Sequence, residues 1–177
     1  MLVKKDIQLH YTENGSIILI VMIMLLLLSI IGIAVNDLSN VEIQLAGNDR
    51  IYKQNFFLSE SATVIGETQL EDLTPTERSD SNFINYTWLH KYDYTQPIAN
   101  RINMTHISYW NGGNSANISP TNPQGKFSVV DMGISPDTSQ SMTNPESLHL
   151  FHIYGLGQST NGNVIIETLY KATVRND

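Results

Sequence analysis

The sequence predicts an α+β chain in which one very long N-terminal helix packs against a small antiparallel sheet. Three observations predict it. Residues 17–35 form an apolar run with no charge. The chain holds no proline before Pro75, so no residue up to that point breaks a helix through a lost N–H and a ring clash. Beyond Pro75, short alternating runs are parted by turn residues, the pattern of strands and hairpins.

The run Ile17–Val35 is 19 residues, 14 of them Leu, Ile or Val. As a helix it spans roughly 28 Å, close to a bilayer's hydrocarbon thickness. Those side chains favour insertion by roughly 4 to 8 kcal/mol. The run exceeds the usual h-region of a secretory signal, about 7 to 15 residues. Ile33-Ala34-Val35-Asn36 also lacks the small-x-small pattern of an ordinary cleavage site. Lys4 and Lys5 precede the run, while Asp37 and Glu42 follow it. That bias favours a cytoplasmic N-terminus and an external remainder.

Helical spacing continues past the membrane run. Leu38, Val41, Leu45, Tyr52 and Phe56, then Ile65 and Leu73, recur at helical intervals among polar residues. One helix from Ser16 to Asp72 is therefore expected, roughly 85 Å long at 1.5 Å per residue. Gly32, Gly47 and Gly66 are its expected soft points, each costing up to about 1 kcal/mol. Leu45, Tyr52 and Phe56 are expected beneath the sheet.

In the remainder, "RINMTHISYW" (101–110) before Asn111-Gly112-Gly113-Asn114 and "GKFSVVDMG" (125–133) read as strands. "SLHLFHIYGLG" (147–157) and "NVIIETLYKATV" (163–174) flank the turn residues 158–162 and make the clearest hairpin. In its second arm Val164, Ile166, Tyr170, Ala172 and Val174 share one face, opposite Glu167, Lys171 and Arg175. A sheet with one apolar face needs a partner, which the amphipathic helix can supply. Segments 76–100 and 114–124 read as polar loops. The organisation is 1–15 leader, 16–36 transmembrane segment, 37–75 amphipathic continuation and 76–177 β-rich head.

Composition narrows the function. The chain has 177 residues and no cysteine, so no disulfide framework, thiolate metal site or cysteine nucleophile exists. With Asp6, Glu13, Lys4 and Lys5 set aside, 17 acids and 10 bases leave 15 and 8 for residues 37–177, a net charge near −7. Binding nucleic acid through phosphates needs clustered cations, so that partner class is excluded.

His149 and His152 lie three apart, which in a strand puts them on opposite faces, unsuited to sharing one metal ion. Asp131, Asp137 and Glu146 are spaced too widely for a known calcium loop and read as a solvated loop. Gly155-x-Gly157 precedes turn residues and a strand, so it is no nucleotide fingerprint. The sequons at Asn85, Asn103 and Asn117 are expected by chance in an Asn-rich chain. Nothing has the pattern of an enzyme, a metal site or a cofactor site.

The order of polar leader, Gly15, apolar run and amphipathic helix resembles type IV prepilins. "VEIQLAGNDRIYKQNFFLSESA" (41–62) resembles the stretch after the membrane run in PilX-type minor pilins. Its likeness lies in Glu42, Ala46, Gly47, Asn48, Arg50, Phe56 with Phe57, and Glu60 with Ser61. The closing "FHIYGLGQSTNGNVIIETLYKA" resembles their final hairpin more loosely. The resemblance implies a type IV pilin fold and cutting between Gly15 and Ser16 by a prepilin peptidase. It implies as partners the lipid bilayer, an inner-membrane assembly platform, and other minor and major pilins. The role implied is to start, prime or cap a pilus, first in the inner membrane and then in the filament. Most pilins carry glutamate at the fifth mature position, whereas this chain has Ile20, a departure shared with PilX-like pilins and GspK-type pseudopilins. A GspK-like pseudopilin of type II secretion is the alternative, although that family is usually longer. A signal-anchored periplasmic binding domain is the alternative of another class, for which a cleavable Gly15-Ser16 serves no purpose.

Overall fold

The computed structural model describes residues 14–96, 102–119, 121–136 and 146–175. Residues 1–13, with Lys4, Lys5 and Glu13, and Asp137 lie outside them. Helix α1 runs Asn14–Asp72, unbroken through Gly32, Gly47 and Gly66. The chain divides into two compact units, one ending at Gly47 and one running from Asn48 onward.

The first unit is helix alone. Every described side chain from Ser16 to Gly47 is exposed, including Ile20, Leu25 and Leu38. A helix satisfies its own backbone N–H and C=O groups, so what it presents outward is side chain. Here that surface is apolar all round over Ile17–Val35, and the helix is long and apolar enough to cross a membrane.

The second unit is the head. Its sheet has the order β1 (Leu89–Lys91), β3 (Asn122–Ile134), β4 (Glu146–Ser159), β5 (Gly162–Arg175), with β2 (Ala116–Ser119) also pairing β3. The β4–β5 hairpin pairs continuously from Glu146↔Arg175 to Ser159↔Gly162. Its connection is therefore Thr160-Asn161, tighter than the five-residue turn the sequence suggests. β2, β4 and β5 join antiparallel neighbours, while β1 lies parallel to β3. The sheet is mostly, not wholly, antiparallel, and the architecture is the expected α+β pilin type.

One face of the sheet carries the C-terminal part of α1. Ala62, Leu70, Trp88, Leu89, Phe127, Val129, Phe151, Ile153, Ala172 and Val174 form that core, with Ile65 and Leu73 packed on it. Burying a side chain such as Leu70 or Phe151 contributes about 1.5–3 kcal/mol. The helix residues that meet the sheet are Asn55, Ser59, Ala62, Gly66 and Leu70, spaced at helical intervals. This corrects the expected seat. Leu45 is 67%, Tyr52 59% and Phe56 37% exposed. The buried stripe is centred about 60° round the helix from Tyr52 and Phe56.

Small residues explain that turn. A Cβ on Gly155 would overlap the carbonyl oxygen of Ser59, and one on Gly157 the carbonyl oxygen of Asn55. With no side chain at either strand position, the helix backbone rests on β4. Gly66, expected as a soft point, belongs to the same seam, since a Cβ there would come within 3.0 Å of Ile153 Cγ2. Polar atoms close the seam where apolar contact is thin. Ser59 Oγ donates to Gly155 O at 2.6 Å, and Asn55 Nδ2 donates to Ser159 Oγ at 3.1 Å and Gly162 O at 3.0 Å.

The other end of the helix is capped by a side chain. Arg78 donates from Nε to Leu70 O at 2.9 Å and from Nη2 to Glu71 O at 3.0 Å. Those carbonyls belong to the last turn, which has no intrahelical donors left. Nη1 reaches Thr173 O on β5 at 3.1 Å.

The opposite face of the sheet is also covered, contrary to a sheet with one apolar face. Met104, Trp110, Val130 and Leu156 form a second core. Trp110 sits in a short helix α2 (Ile107–Asn111), where the sequence suggested a strand, and its Nε1 donates to Met104 O at 2.7 Å. The segments expected as loops likewise hold a 3-10 turn (Asp80–Asn85), β1 and β2.

Candidate functional site

The expected cleavage pair, Ile20 and the residues that carry the family likeness all lie along α1, and those from Ser16 onward are exposed. In the first unit, Gly15 is in the opening helical turn, and Ser16, Ile20, Glu42, Ala46 and Gly47 are exposed. In the second, Asn48, Arg50, Phe56 and Glu60 are exposed. In the second unit Arg50 and Glu60 stand ten residues apart on the helix, roughly 15 Å at 1.5 Å per residue, and do not converge. What the head does gather is aromatic. Tyr52 and Phe56 stack with centroids 6.5 Å apart, and Phe56 meets Phe57 edge-on at 5.9 Å. Phe57 is 63% exposed. Large apolar side chains on the outside of a helix whose inner face is already packed mark a surface available to a partner.

Beside this aromatic strip lies a groove of about 300 Å³ lined by Asn48, Ile51, Tyr52, Asn55, Asn163 and Val164 among others. Its wall includes the seam's Asn55, whose Nδ2 is fixed by Gly162 O. Asn55 Oδ1 is buried and has no hydrogen-bond partner among the described residues. The exposed ion pair Lys53–Asp49 at 2.7 Å joins adjacent turns and contributes only about 0.3–0.5 kcal/mol.

The acids and histidines fall into two separate networks. Asp131 is buried, not solvated as its loop-like sequence suggested. Its Oδ2 accepts from His149 Nδ1 at 2.7 Å and its Oδ1 from Gly133 N at 2.7 Å. His149 Nε2 lies 2.9 Å from Ser147 Oγ. The atom order is that of a nucleophilic relay, but neither cavity described for this head is lined by any of the three. The arrangement keeps a buried carboxyl partnered, as burial requires. His152 points to the other face and bonds Glu167 Oε1, which also accepts from Tyr154 Oη at 3.0 Å. Glu146, at the start of β4, is exposed and shares no site with Asp131. Among the described residues, no group of three or more His, Asp or Glu is arranged to hold a metal ion.

Sequence reasoning missed the seam of Asn55, Ser59, Gly155 and Gly157. The signal was present, because two glycines two apart in a strand lie on one face and mark a close backbone approach.

Residues 14–64 match the family model described as PilX N-terminal. No curated protein and no solved structure matches the chain. The matched span covers most of α1, with the apolar run, Glu42, the Ala46-Gly47-Asn48 stretch and Phe56, and stops before the sheet. It supports a PilX-type pilin and a type IV pilin-related, structural role, and the apolar N-terminal helix fits a membrane-anchored pilus component.

Proposed function

We propose that this chain is a minor pilin that starts, primes or caps a type IV pilus. In this reading a prepilin peptidase cuts between Gly15 and Ser16. The mature chain waits in the inner membrane with its N-terminus cytoplasmic, and the assembly platform then docks it among other minor and major pilins. The observation that carries the reading is the surface of α1. From Ser16 to Gly47 every side chain is exposed, and beyond it Tyr52, Phe56 and Phe57 remain outside a head whose own core is complete. An apolar helix surface that its own fold leaves bare suits burial against lipid first and other helices later.

Ile20 supports a position at the tip, as a subunit that starts the filament. No carboxylate lies between Ser16 and Asn36, so this helix has nothing to neutralise the α-amino group of a subunit assembled just before it, above it toward the tip, and an unpaired charge in an apolar bundle is costly. A subunit assembled first has no subunit above it to neutralise and so loses nothing by lacking the carboxylate. The test is deletion of the gene with labelling of the protein. Pili should become few while the major pilin accumulates in the membrane, with label at filament ends. Even labelling along the shaft, at a stoichiometry near that of the major pilin, would overturn the reading.

A further inference from the structure

The face of the sheet away from α1 holds a cavity of about 290 Å³. Tyr92, Met104, Val130, Met132, Tyr154 and Glu167 are among the residues that line it. Its floor is apolar, since Met104 and Val130 belong to the second core. At its lip stands one carboxylate, with Glu167 43% and His152 20% exposed in their side chains. That carboxylate is oriented by two donors, His152 Nδ1 and Tyr154 Oη, and both bond the same oxygen, Oε1. Oε2 has no hydrogen-bond partner among the described residues. Burial and the neighbouring Glu167 raise the Tyr154 phenol well above its ordinary value, so the phenol keeps the proton it donates.

We propose that this cavity is a binding site for a primary alkylammonium group. A carboxylate held at the mouth of an aromatic and thioether pocket suits a ligand with a cationic head and an aliphatic stem. The stem lies along Met104, Met132 and Val130, and the head meets Glu167 Oε2 and the tyrosine rings, to which cations are attracted. The geometry favours ammonium over guanidinium. A guanidinium fork uses both oxygens of a carboxylate in one plane, and Oε1 is already occupied twice. An ammonium is a compact charge with three donors that rotate to suit a single oxygen. The head's net negative charge raises the local concentration of such cations. Two sources share this chemistry, a free aliphatic diamine and a lysine side chain of another protein.

The test uses the full chain in detergent, with binding followed by ligand-observed NMR. Cadaverine and an acetyl-Gly-Lys-Gly-amide peptide are the two cationic probes, and 1,5-pentanediol is the neutral isostere of the first. Saturable binding of at least one cationic probe is expected, weakened at least about tenfold by Glu167→Gln and for the diol, as loss of a charge partner requires. Binding of cadaverine alone assigns a small amine, and binding of the peptide assigns a protein side chain. Should Glu167→Gln fail to fold, Tyr92→Leu, which removes the ring and keeps the bulk, should still weaken binding several-fold. Failure of both cationic probes to bind overturns the proposal. So does equal binding of diol and diamine, or affinity that neither substitution changes.

Discussion

Asn55 and Gly157 are in backbone contact, the carbonyl oxygen of the helical residue occupying the space that a β-carbon on the strand residue would need. The same asparagine donates to Ser159 and Gly162, so one residue fixes both how near the helix sits and where along the hairpin it stops. Hydrophobicity plays little part at this end of the seam. The helix is located by the absence of side chains on β4 and by polar bonds that would go unmade in any other register.

The glycines should divide sharply by location. Gly157→Ala is expected to destabilise the head by about 3 kcal/mol, because neither backbone can give way. Gly47→Ala meets nothing within 4 Å and should leave stability unchanged or raise it by at most about 1 kcal/mol. Denaturant titrations of the full chain, followed by far-ultraviolet circular dichroism, check both. Equal midpoints for the two variants would remove the close-contact account.

Phe56 and Phe151 should separate assembly from stability. Phe151 is fully buried, and its truncation to alanine is expected to cost about 3–5 kcal/mol. Phe56→Ala should cost less than about 1 kcal/mol, as for a surface position, yet lower the number of pili on cells. Normal piliation with this variant would show that the aromatic strip is not an assembly surface.

His90 gives the head a pH dependence. Burial holds its imidazole below the ordinary 6.5, although the bond from Nε2 to Asn114 O, 2.8 Å, works the other way. The unfolded chain then takes up a proton before the folded one does. Stability is whole above the ordinary value and falls as pH drops through it toward the folded value. Acidification from about pH 7.5 to about 5.5 should therefore lower the melting temperature, and His90→Gln, which can keep the bond through its amide, should flatten that slope. An unchanged slope in the variant would assign the effect to other groups.

Processing is the most direct check on the N-terminal reading. Mass spectrometry of the membrane fraction is expected to find a chain beginning at Ser16. A mature chain that retains Met1, or one that begins after Val35, contradicts a prepilin.

What the sequence made legible follows from which forces leave periodic traces. The helix end at Asp72 could be read because Pro75 lies just beyond it, and the arms of the β4–β5 hairpin because strands alternate with period two. The head-side seat of α1 could not be read by looking for apolar residues. Asn55, Ser59 and Gly66 carry no hydrophobic signal, whereas Tyr52 and Phe56 carry a strong one that the fold spends outside its core. β1 is three residues long and α2 five, each too short for a period to emerge. Asp131 looked like a loop acid because its partner His149 lies on another strand, a pairing that only the β3–β4 register creates. The bare surface at Glu42, Asn48 and Arg50 was legible only as likeness, since nothing in the chain's own packing requires those residues.

The Arg78 cap has a mechanical consequence. Asn55 fastens the helix to one end of the β4–β5 hairpin, and Arg78 ties the helix's last turn to Thr173 near the other. The Arg175 N–H to Pro75 O bond, 2.9 Å, reinforces that second tie. Tension along α1 would therefore load both anchorages and the seam between them together, as sliding rather than as peeling from one end. A head fastened in this way can pass traction through its strands without first unwinding the helix.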